Sequence, residues 1–240
     1  MKKTPLIILH GWGLNNTRFA PLVSVLKQKK YSVLCPDLPG FGKTQKPKKS
    51  LYLDDYIKYV LDFLKKNKIA KANFICHSFG GRIGIKLTVQ NPEKVNSLIL
   101  TGVPGLMPVP RIKVVFFYYL AKAGKLVFSL PFISLFNNFA QKLIYSLANA
   151  NDFYNTRNAM RETFQNIVKE NLAPYLPQIT PPTLLLWGRN DTFVSPQIAI
   201  KMAKIIPNNK LIILDNISHG FPYSHPEIFT QNLEKFLNNA

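Results

Sequence analysis

Cysteine is scarce in this chain: its 240 residues include only Cys35 and Cys76. Two thiols cannot form the several disulfide bonds that stabilise a small secreted scaffold, and they cannot supply a cysteine-rich zinc site. Each thiol lies at or near the end of an apolar segment, as buried free thiols often do. The sequence therefore predicts a protein of a reducing compartment, and we expect a cytoplasmic location.

Long uncharged apolar segments are also absent. The most apolar stretch, residues 114–136, is interrupted by two lysines, a glycine and a proline, so it contains no run of about 18 uncharged apolar residues. The apolar run near the N-terminus extends only from Leu6 to Leu9, which is short for a secretory signal. The pattern predicts neither a transmembrane helix nor a cleaved leader.

Acidic residues are few: 12 Asp and Glu stand against 31 Lys and Arg, which gives a formal net charge of +19. The first 100 residues hold 18 of the basic and five of the acidic side chains. This balance favours an acidic carrier protein or an anionic membrane surface as partner, although lysines in loops and at helix ends are also typical of a solvated surface. No nucleic-acid-binding motif accompanies the charge, so we expect no specific nucleic-acid partner.

Short apolar runs alternate with longer helical patterns, which is typical of a parallel sheet with crossover helices. The runs are rich in Leu, Ile and Val without strict alternation, as in strands covered on both faces. The chain, 47% hydrophobic, is long enough for one large α/β domain. We predict six strands, at residues 5–10, 31–36, 73–77, 97–101, 183–187 and 211–214.

Three helices follow from capping residues and apolar periodicity. One is predicted after Ser50 as its cap, one from Gly80 to just before Pro92, and one from Pro226 to Leu237. The segment between the fourth and fifth strands is too long for one crossover and carries an aromatic, basic series of helical patterns. We therefore predict a core of residues 1–102 and 176–240, with a helical insertion at residues 103–175.

The third run is followed by His77-Ser78-Phe79-Gly80-Gly81 and then by a helical pattern. A serine at the apex of a strand, a sharp turn and a helix is the arrangement of a nucleophile elbow, which needs small residues two positions before and after the serine. Gly80 meets this need on one side. Cys76 stands on the other side, where glycine is usual.

A serine hydroxyl needs a general base, and the base needs an acid that orients it. Asp191 follows the fifth run and His219 follows the sixth, so both lie beyond the carboxyl ends of strands, where sites in parallel sheets form. Asp215 is a rival acid, but it fits a turn better. His225 is a rival base, but it precedes a predicted helix start, and we expect His77 to point away from the serine across the elbow.

The loop His10-Gly11-Trp12-Gly13 follows the first run. Its Trp12 N–H and the Phe79 N–H after the serine are the candidate donors of an oxyanion hole, and we expect His10 to fix this loop. No spacing of His, Cys and carboxylates suits a metal, and no dinucleotide or phosphate loop is present. We therefore expect no cofactor.

These motifs, together with Asp37-Leu38-Pro39-Gly40-Phe41-Gly42, closely resemble those of the α/β-hydrolase superfamily, in its lidded, cofactor-free branch. The resemblance implies an α/β-hydrolase fold, Ser78 as nucleophile, His219 as base, Asp191 as its orienter, and an insertion folded as a helical lid. The two antiparallel strands with which such folds usually begin have no counterpart, so a new sheet edge is expected.

The resemblance implies a serine hydrolase, and we favour a carboxylesterase acting on an ester with an apolar acyl part. The first and second loop motifs are also similar to those of carboxylesterases that demethylate pimeloyl-carrier protein, so the substrate is either a small-molecule or an acyl-carrier ester. A C–C bond hydrolase is the alternative on the same triad. A non-catalytic binding protein on this scaffold is the alternative of another class. The sequence leaves chain length, leaving group and oligomeric state open.

Overall fold

The computed structural model describes residues 3–104 and 159–238. Residues 105–158, which hold most of the predicted lid, lie outside this range. The described residues contain six strands that form one sheet, and every neighbouring pair runs parallel. The strands are β1 (Leu6–Leu9), β2 (Val33–Leu34), β3 (Ala72–His77), β4 (Val95–Thr101), β5 (Thr183–Gly188) and β6 (Asn209–Leu214), in the order β2-β1-β3-β4-β5-β6. The predicted six-stranded parallel sheet is confirmed.

The helices of the described residues connect and cover these strands. They are α1 (Ala20–Gln28), α2 (Leu53–Lys66), α3 (Phe79–Gln90), α4 (Ala159–Lys169), α5 (Pro196–Ala203), α6 (Phe221–Ser224) and α7 (Pro226–Leu237). Short 3₁₀ helices lie at Asn16–Phe19, Pro92–Lys94 and Ala173–Gln178. The sequence patterns located α3 and α7 closely, and they missed α1, α5 and α6.

The predicted start of α2 at Ser50 is wrong. The helix begins at Leu53, and Tyr52 before it has extended backbone angles. Both backbone groups of Leu51 face α4 instead: its N–H donates to Thr163 Oγ1 at 2.9 Å, and its carbonyl, which a helix from Ser50 would use, accepts from Asn166 Nδ2 at 3.4 Å. Asp55 Oδ2 accepts the Tyr52 N–H at 2.8 Å and satisfies one donor at this helix start.

Two apolar layers cover the sheet, one on each face. On one face, side chains of the central strands pack with α2, α3 and α5, and on the other they pack with α1, α6 and α7. Residues of β1 divide between the layers, with Ile7 and Leu9 in the first and Leu6 and Ile8 in the second. This double coverage explains why the strands read as continuous apolar runs.

A buried arginine joins the two chain segments that border residues 105–158. Arg82, on α3, is 2% exposed. Its Nη1 donates to the Pro104 carbonyl at 3.1 Å, and its Nη2 donates to the carbonyls of Ile167 and Glu170 at 2.6 and 2.5 Å. These acceptors compensate the burial of the guanidinium and fix the C-terminal end of α4 against the core.

Candidate active site

Ser78 occupies a strained turn between β3 and α3. Its backbone angles are φ 52° and ψ −114°, a conformation that costs a non-glycine residue roughly 1–3 kcal/mol. Two hydrogen bonds hold the turn: the Ser78 N–H donates to the Thr101 carbonyl at 2.9 Å, and the Gly81 N–H donates to the Ser78 carbonyl at 2.9 Å. The structure thus contains the predicted strand, sharp turn and helix with serine at the apex.

The residues on either side of this turn lie against neighbouring backbone. The Gly80 N–H donates to the His10 carbonyl at 3.1 Å, and a Cβ at Gly80 would overlap the carbonyl of Leu9. Gly11 lies close to the serine, because a Cβ placed on it would be 3.3 Å from the Ser78 Cβ. The loop after β1 and the start of α3 therefore pack together with no room for larger side chains.

Cys76, which replaces the usual glycine before the serine, is fully buried against α3. A Cβ on Gly84 would be 2.5 Å from the Cys76 Sγ, so the sulfur fills the space left by this glycine. Burial also raises the pKa of the Cys76 thiol, which keeps it protonated. A glycine in the second turn of α3 thus compensates for the departure from the usual elbow.

Asp191 and His219, which follow β5 and β6, are joined by a hydrogen bond. His219 Nδ1 lies 2.7 Å from Asp191 Oδ2. The other carboxylate oxygen of Asp191 accepts the N–H groups of Phe193 and Val194 at 2.9 and 2.8 Å. The Asp191 side chain is 1% exposed, so its charge is held in place by these donors and by the imidazole.

The His219 ring is supported on several sides. Gly102, at φ 58°, approaches so closely that a Cβ there would be 2.5 Å from His219 Cε1. The ring centroids of His77 and Phe193 lie 4.8 and 5.3 Å from that of His219. His77 directly precedes Ser78, so the elbow and the Asp191–His219 pair are neighbours at the carboxyl edge of the sheet.

Asp215 and His225, the rival acid and the rival base, bind other partners than Asp191 and His219 do. Asp215 pairs with Arg189 on the surface, and His225 Nδ1 lies 2.9 Å from Ser224 Oγ at the start of α7. The His77 ring contacts the His219 ring. Burial, followed by the neighbouring His219, holds the pKa of His77 well below the ordinary 6.5, so its ring is neutral.

The two candidate oxyanion donors belong to residues in contact. The Trp12 and Phe79 rings lie 5.3 Å apart, and Trp12 also packs edge-on against Phe41 and Phe164, each at 5.0 Å. Phe79 is the first residue of α3, so its N–H has no acceptor within the helix. An aromatic wall therefore borders the turn that carries Ser78.

His10 connects the loop after β1 to the loop after β2. Its Nε2 accepts the Leu38 N–H at 2.9 Å, and its Nδ1 lies 2.9 Å from the Gly11 carbonyl. This pairing assigns the proton to Nδ1 of a neutral ring. Burial lowers the pKa of His10 and favours that neutral form. The expected role of His10 in fixing the loop agrees with these contacts.

Within residues 3–104 and 159–238, no cluster of three or more His, Cys, Asp or Glu side chains could hold a metal ion. Over the same residues, no helix combines the length and the apolar character needed to cross a membrane.

A protein-family model described as alpha/beta hydrolase fold matches residues 4–141. The chain belongs to this family. It is 27% identical over 251 residues to the 2-hydroxy-6-oxo-6-(2'-aminophenyl)hexa-2,4-dienoic acid hydrolase of Metapseudomonas resinovorans, covering 99% of this chain and 85% of that protein. It is 28% identical over 241 residues to the pimeloyl-[acyl-carrier protein] methyl ester esterase of Legionella pneumophila, covering 97% of this chain and 95% of that protein.

Solved structures agree on the fold. An esterase from Exiguobacterium antarcticum superposes with a TM-score of 0.76 at 21% identity, covering 99% of this chain and 92% of that one. The predicted α/β-hydrolase superfamily and the prediction of an α/β-hydrolase enzyme are confirmed. The boundaries of the predicted lid and the roles of the individual site residues stay predictions.

Sequence reasoning missed three contributors to the site. Gly84 accommodates Cys76, Gly102 leaves room for the His219 ring, and His77 contacts that ring. Glycines inside a helix and directly after a strand were visible signals, because such positions often mark a close approach. The partner of each glycine lies far along the chain and could not be read from the sequence.

The fit of Cys76 against Gly84 predicts the outcome of a double-mutant cycle. Gly84→Ala should lower the free energy of unfolding by about 1–3 kcal/mol, because the new methyl group overlaps the sulfur. In a Cys76→Ala background, which lacks the sulfur, Gly84→Ala should lower the free energy of unfolding less, or raise it. Alanine is favoured over glycine in a helix by about 1 kcal/mol. Urea denaturation of the four proteins measures the coupling. An equal change in unfolding free energy in both backgrounds would contradict a contact between Gly84 and the Cys76 sulfur.

The two buried neutral histidines predict a loss of stability in mild acid. Both folded-state pKa values lie below the ordinary 6.5, so the unfolded chain binds protons first as the pH falls. Stability is therefore full above about pH 6.5 and decreases below it, by at most about 1.4 kcal/mol per pH unit for each group.

His77→Asn should reduce the slope of unfolding free energy against pH between pH 7 and pH 5, measured by urea denaturation at each pH. The exposed His225→Asn is the matched control. A slope identical in wild type and His77→Asn would show that protonation of His77 does not contribute.

Proposed function

We propose that this protein is a serine hydrolase in which Ser78 is the nucleophile, His219 the general base and Asp191 the residue that orients the base. The observation that carries this proposal is the hydrogen bond between Asp191 and His219 beside a serine held in the left-handed turn of an elbow. Such a turn exposes the serine hydroxyl at the strand end, where a histidine can reach it.

The proposed reaction proceeds through an acyl-enzyme. Ser78 Oγ attacks the substrate carbonyl while its proton passes to His219 Nε2, and the Trp12 and Phe79 amides stabilise the oxyanion. His219 then donates the proton to the leaving group, and a water molecule activated by the same ring releases the acid. Asp191 holds the Nδ1 proton and stabilises the transient imidazolium.

We propose an ester with an apolar acyl part as substrate. The support is the aromatic wall of Trp12, Phe41, Phe79 and Phe164 next to the turn. Phe193 adds an exposed ring, 67% accessible, beside His219. Apolar walls with a few convergent polar groups are typical of sites for small apolar substrates. The similarity to a methyl ester esterase agrees with this choice.

C–C bond hydrolysis is the second candidate, because relatives at comparable identity are hydrolases named for 2-hydroxy-6-oxo dienoic acids. Both reactions attack a carbonyl carbon and both use an oxyanion hole, so the triad alone does not separate them. They differ in the leaving group, which is an alkoxide in the ester and a stabilised carbanion equivalent in the diketone.

The first test is turnover of p-nitrophenyl esters with acyl chains from two to sixteen carbons. Ser78→Ala should lower kcat/KM about 10⁴-fold or more, and Asp191→Asn about 10³–10⁴-fold, because each removes part of one catalytic unit. Ser24→Ala, at an exposed serine on α1, is the matched control and should retain full activity. Activity that survives Ser78→Ala in the folded protein would overturn the proposed nucleophile.

A parallel assay with vinylogous 1,5-diketone substrates separates the two candidates. The ester proposal predicts that kcat/KM for the preferred ester exceeds that for the diketone by at least about 10-fold, a difference of about 1.4 kcal/mol in transition-state stabilisation. The reverse order would favour the C–C hydrolase. Absence of both activities in a folded wild type would favour a non-catalytic binding protein.

A further inference from the structure

The loop between β2 and α2 carries a dense group of lysines, which we call the lysine loop, residues 43–52. Lys43, Lys46, Lys48 and Lys49 are all exposed, and the segment contains no acidic residue. The loop ends in Tyr52, a large aromatic side chain that is 56% exposed. Positive charge and an exposed aromatic ring therefore share one short surface segment.

The charge of the lysine loop is not balanced by its neighbours. Among the described residues, no ion pair includes any of these four lysines. The nearest carboxylates along the chain do not pair with these ammonium groups: Asp37 and Asp55 accept the backbone N–H groups of Lys43 and Tyr52, at the two ends of the loop, and Asp54 binds Lys86. The four ammonium groups thus create a positive field that reaches solvent.

Hydrogen bonds anchor both ends of the lysine loop. Thr44 Oγ1 donates to the Leu38 carbonyl at 2.8 Å and accepts the Phe41 N–H at 3.1 Å. At the other end, the Leu51 N–H donates to Thr163 Oγ1 on α4 at 2.9 Å. Anchored ends lower the ordering cost of the main chain when the lysines bind a partner.

The lysine loop lies on the same side of the molecule as Ser78. It follows the carboxyl end of β2 and leads into the first turn of α2, so it lies at the carboxyl edge of the parallel sheet. It is directly preceded by Phe41 and Gly42, and the Phe41 ring packs on Trp12, the proposed oxyanion residue, at 5.0 Å. A partner that covers this loop therefore faces the site.

We propose that the lysine loop docks on an anionic lipid surface and turns the carboxyl edge of the sheet toward the bilayer. Clustered lysines near a membrane bind anionic headgroups, and an exposed aromatic ring beside them suits the interfacial region. A protein partner is less well matched, because interfaces between proteins are depleted in lysine. In this orientation an apolar ester leaves the bilayer next to the aromatic wall.

The chain provides a matched control for this proposal. Lys65, Lys66, Lys68 and Lys71 are equally exposed, but they lie at the C-terminal end of α2 and just before β3, at the opposite edge of the sheet. Replacing either group of four by alanine lowers the net charge by the same amount. Only the position of the lost charge differs.

The experiment is co-sedimentation of the full chain with vesicles of phosphatidylcholine alone or with phosphatidylglycerol, in low and high salt. Ser78→Ala protein is run in parallel, so that lipid turnover does not affect the result. Wild type and Ser78→Ala should bind the anionic vesicles, and salt should weaken the binding because it screens the charges. Replacing the four loop lysines should weaken binding at least about 100-fold, since each lysine contributes about five-fold.

The control quadruple variant should weaken vesicle binding by less than one tenth of the factor seen for the loop variant. Tyr52→Ser should weaken binding several-fold without changing the charge. Equal losses in the two quadruple variants would overturn the proposal, because binding would then follow net charge alone. Binding of wild type to an acidic carrier protein, with none to anionic vesicles, would also overturn it and assign the loop to a protein partner. The vesicle result does not depend on the proposed catalytic function, since it is read without turnover.

Discussion

The left-handed backbone of Ser78 is the constraint around which the site is arranged. The chain passes from β3 to α3 through a single residue, Ser78, whose backbone angles are unfavourable for a residue other than glycine. The cost is offset by the Thr101 carbonyl, which accepts the Ser78 N–H, and by the close approach of the His10–Gly11 backbone to α3. The same contacts bring the loop after β1 beside the start of α3, where the two candidate oxyanion amides belong.

The parallel sheet brings the remaining groups to the same place. Because the six strands in the described part of the chain run in one direction, the loops after β1, β3, β4, β5 and β6 meet at one edge. The loop after β4 supplies Gly102, the loop after β5 supplies Asp191, and the loop after β6 supplies His219. The Asp191 and His219 side chains bond across 28 residues of the chain, and the Gly102 backbone lies against the His219 ring. Local strain at the serine and long-range topology together produce the proposed triad.

Much of this arrangement was predictable, because it depends on patterns that are local in sequence. Apolar runs gave the six strands, and the residues that follow each run gave Ser78, Asp191 and His219. Features that depend on distant partners were not predictable. Leu51, just before α2, is bound by Thr163 and Asn166 of α4, more than 100 residues away along the chain. Likewise, the tolerance of Cys76 in the elbow depends on a glycine in the next helix, and the contact between His77 and His219 joins two separate loops.

The central claim is that Ser78 is an activated nucleophile, and covalent labelling tests it most directly. A fluorophosphonate should react with the full chain by forming a bond from Ser78 Oγ to phosphorus with loss of fluoride, and mass spectrometry of the digested protein should locate the adduct on Ser78. Labelling should be abolished in Ser78→Ala and strongly slowed in His219→Ala, because the base no longer accepts the hydroxyl proton. An adduct on another serine, or none on the folded wild type, would contradict the account.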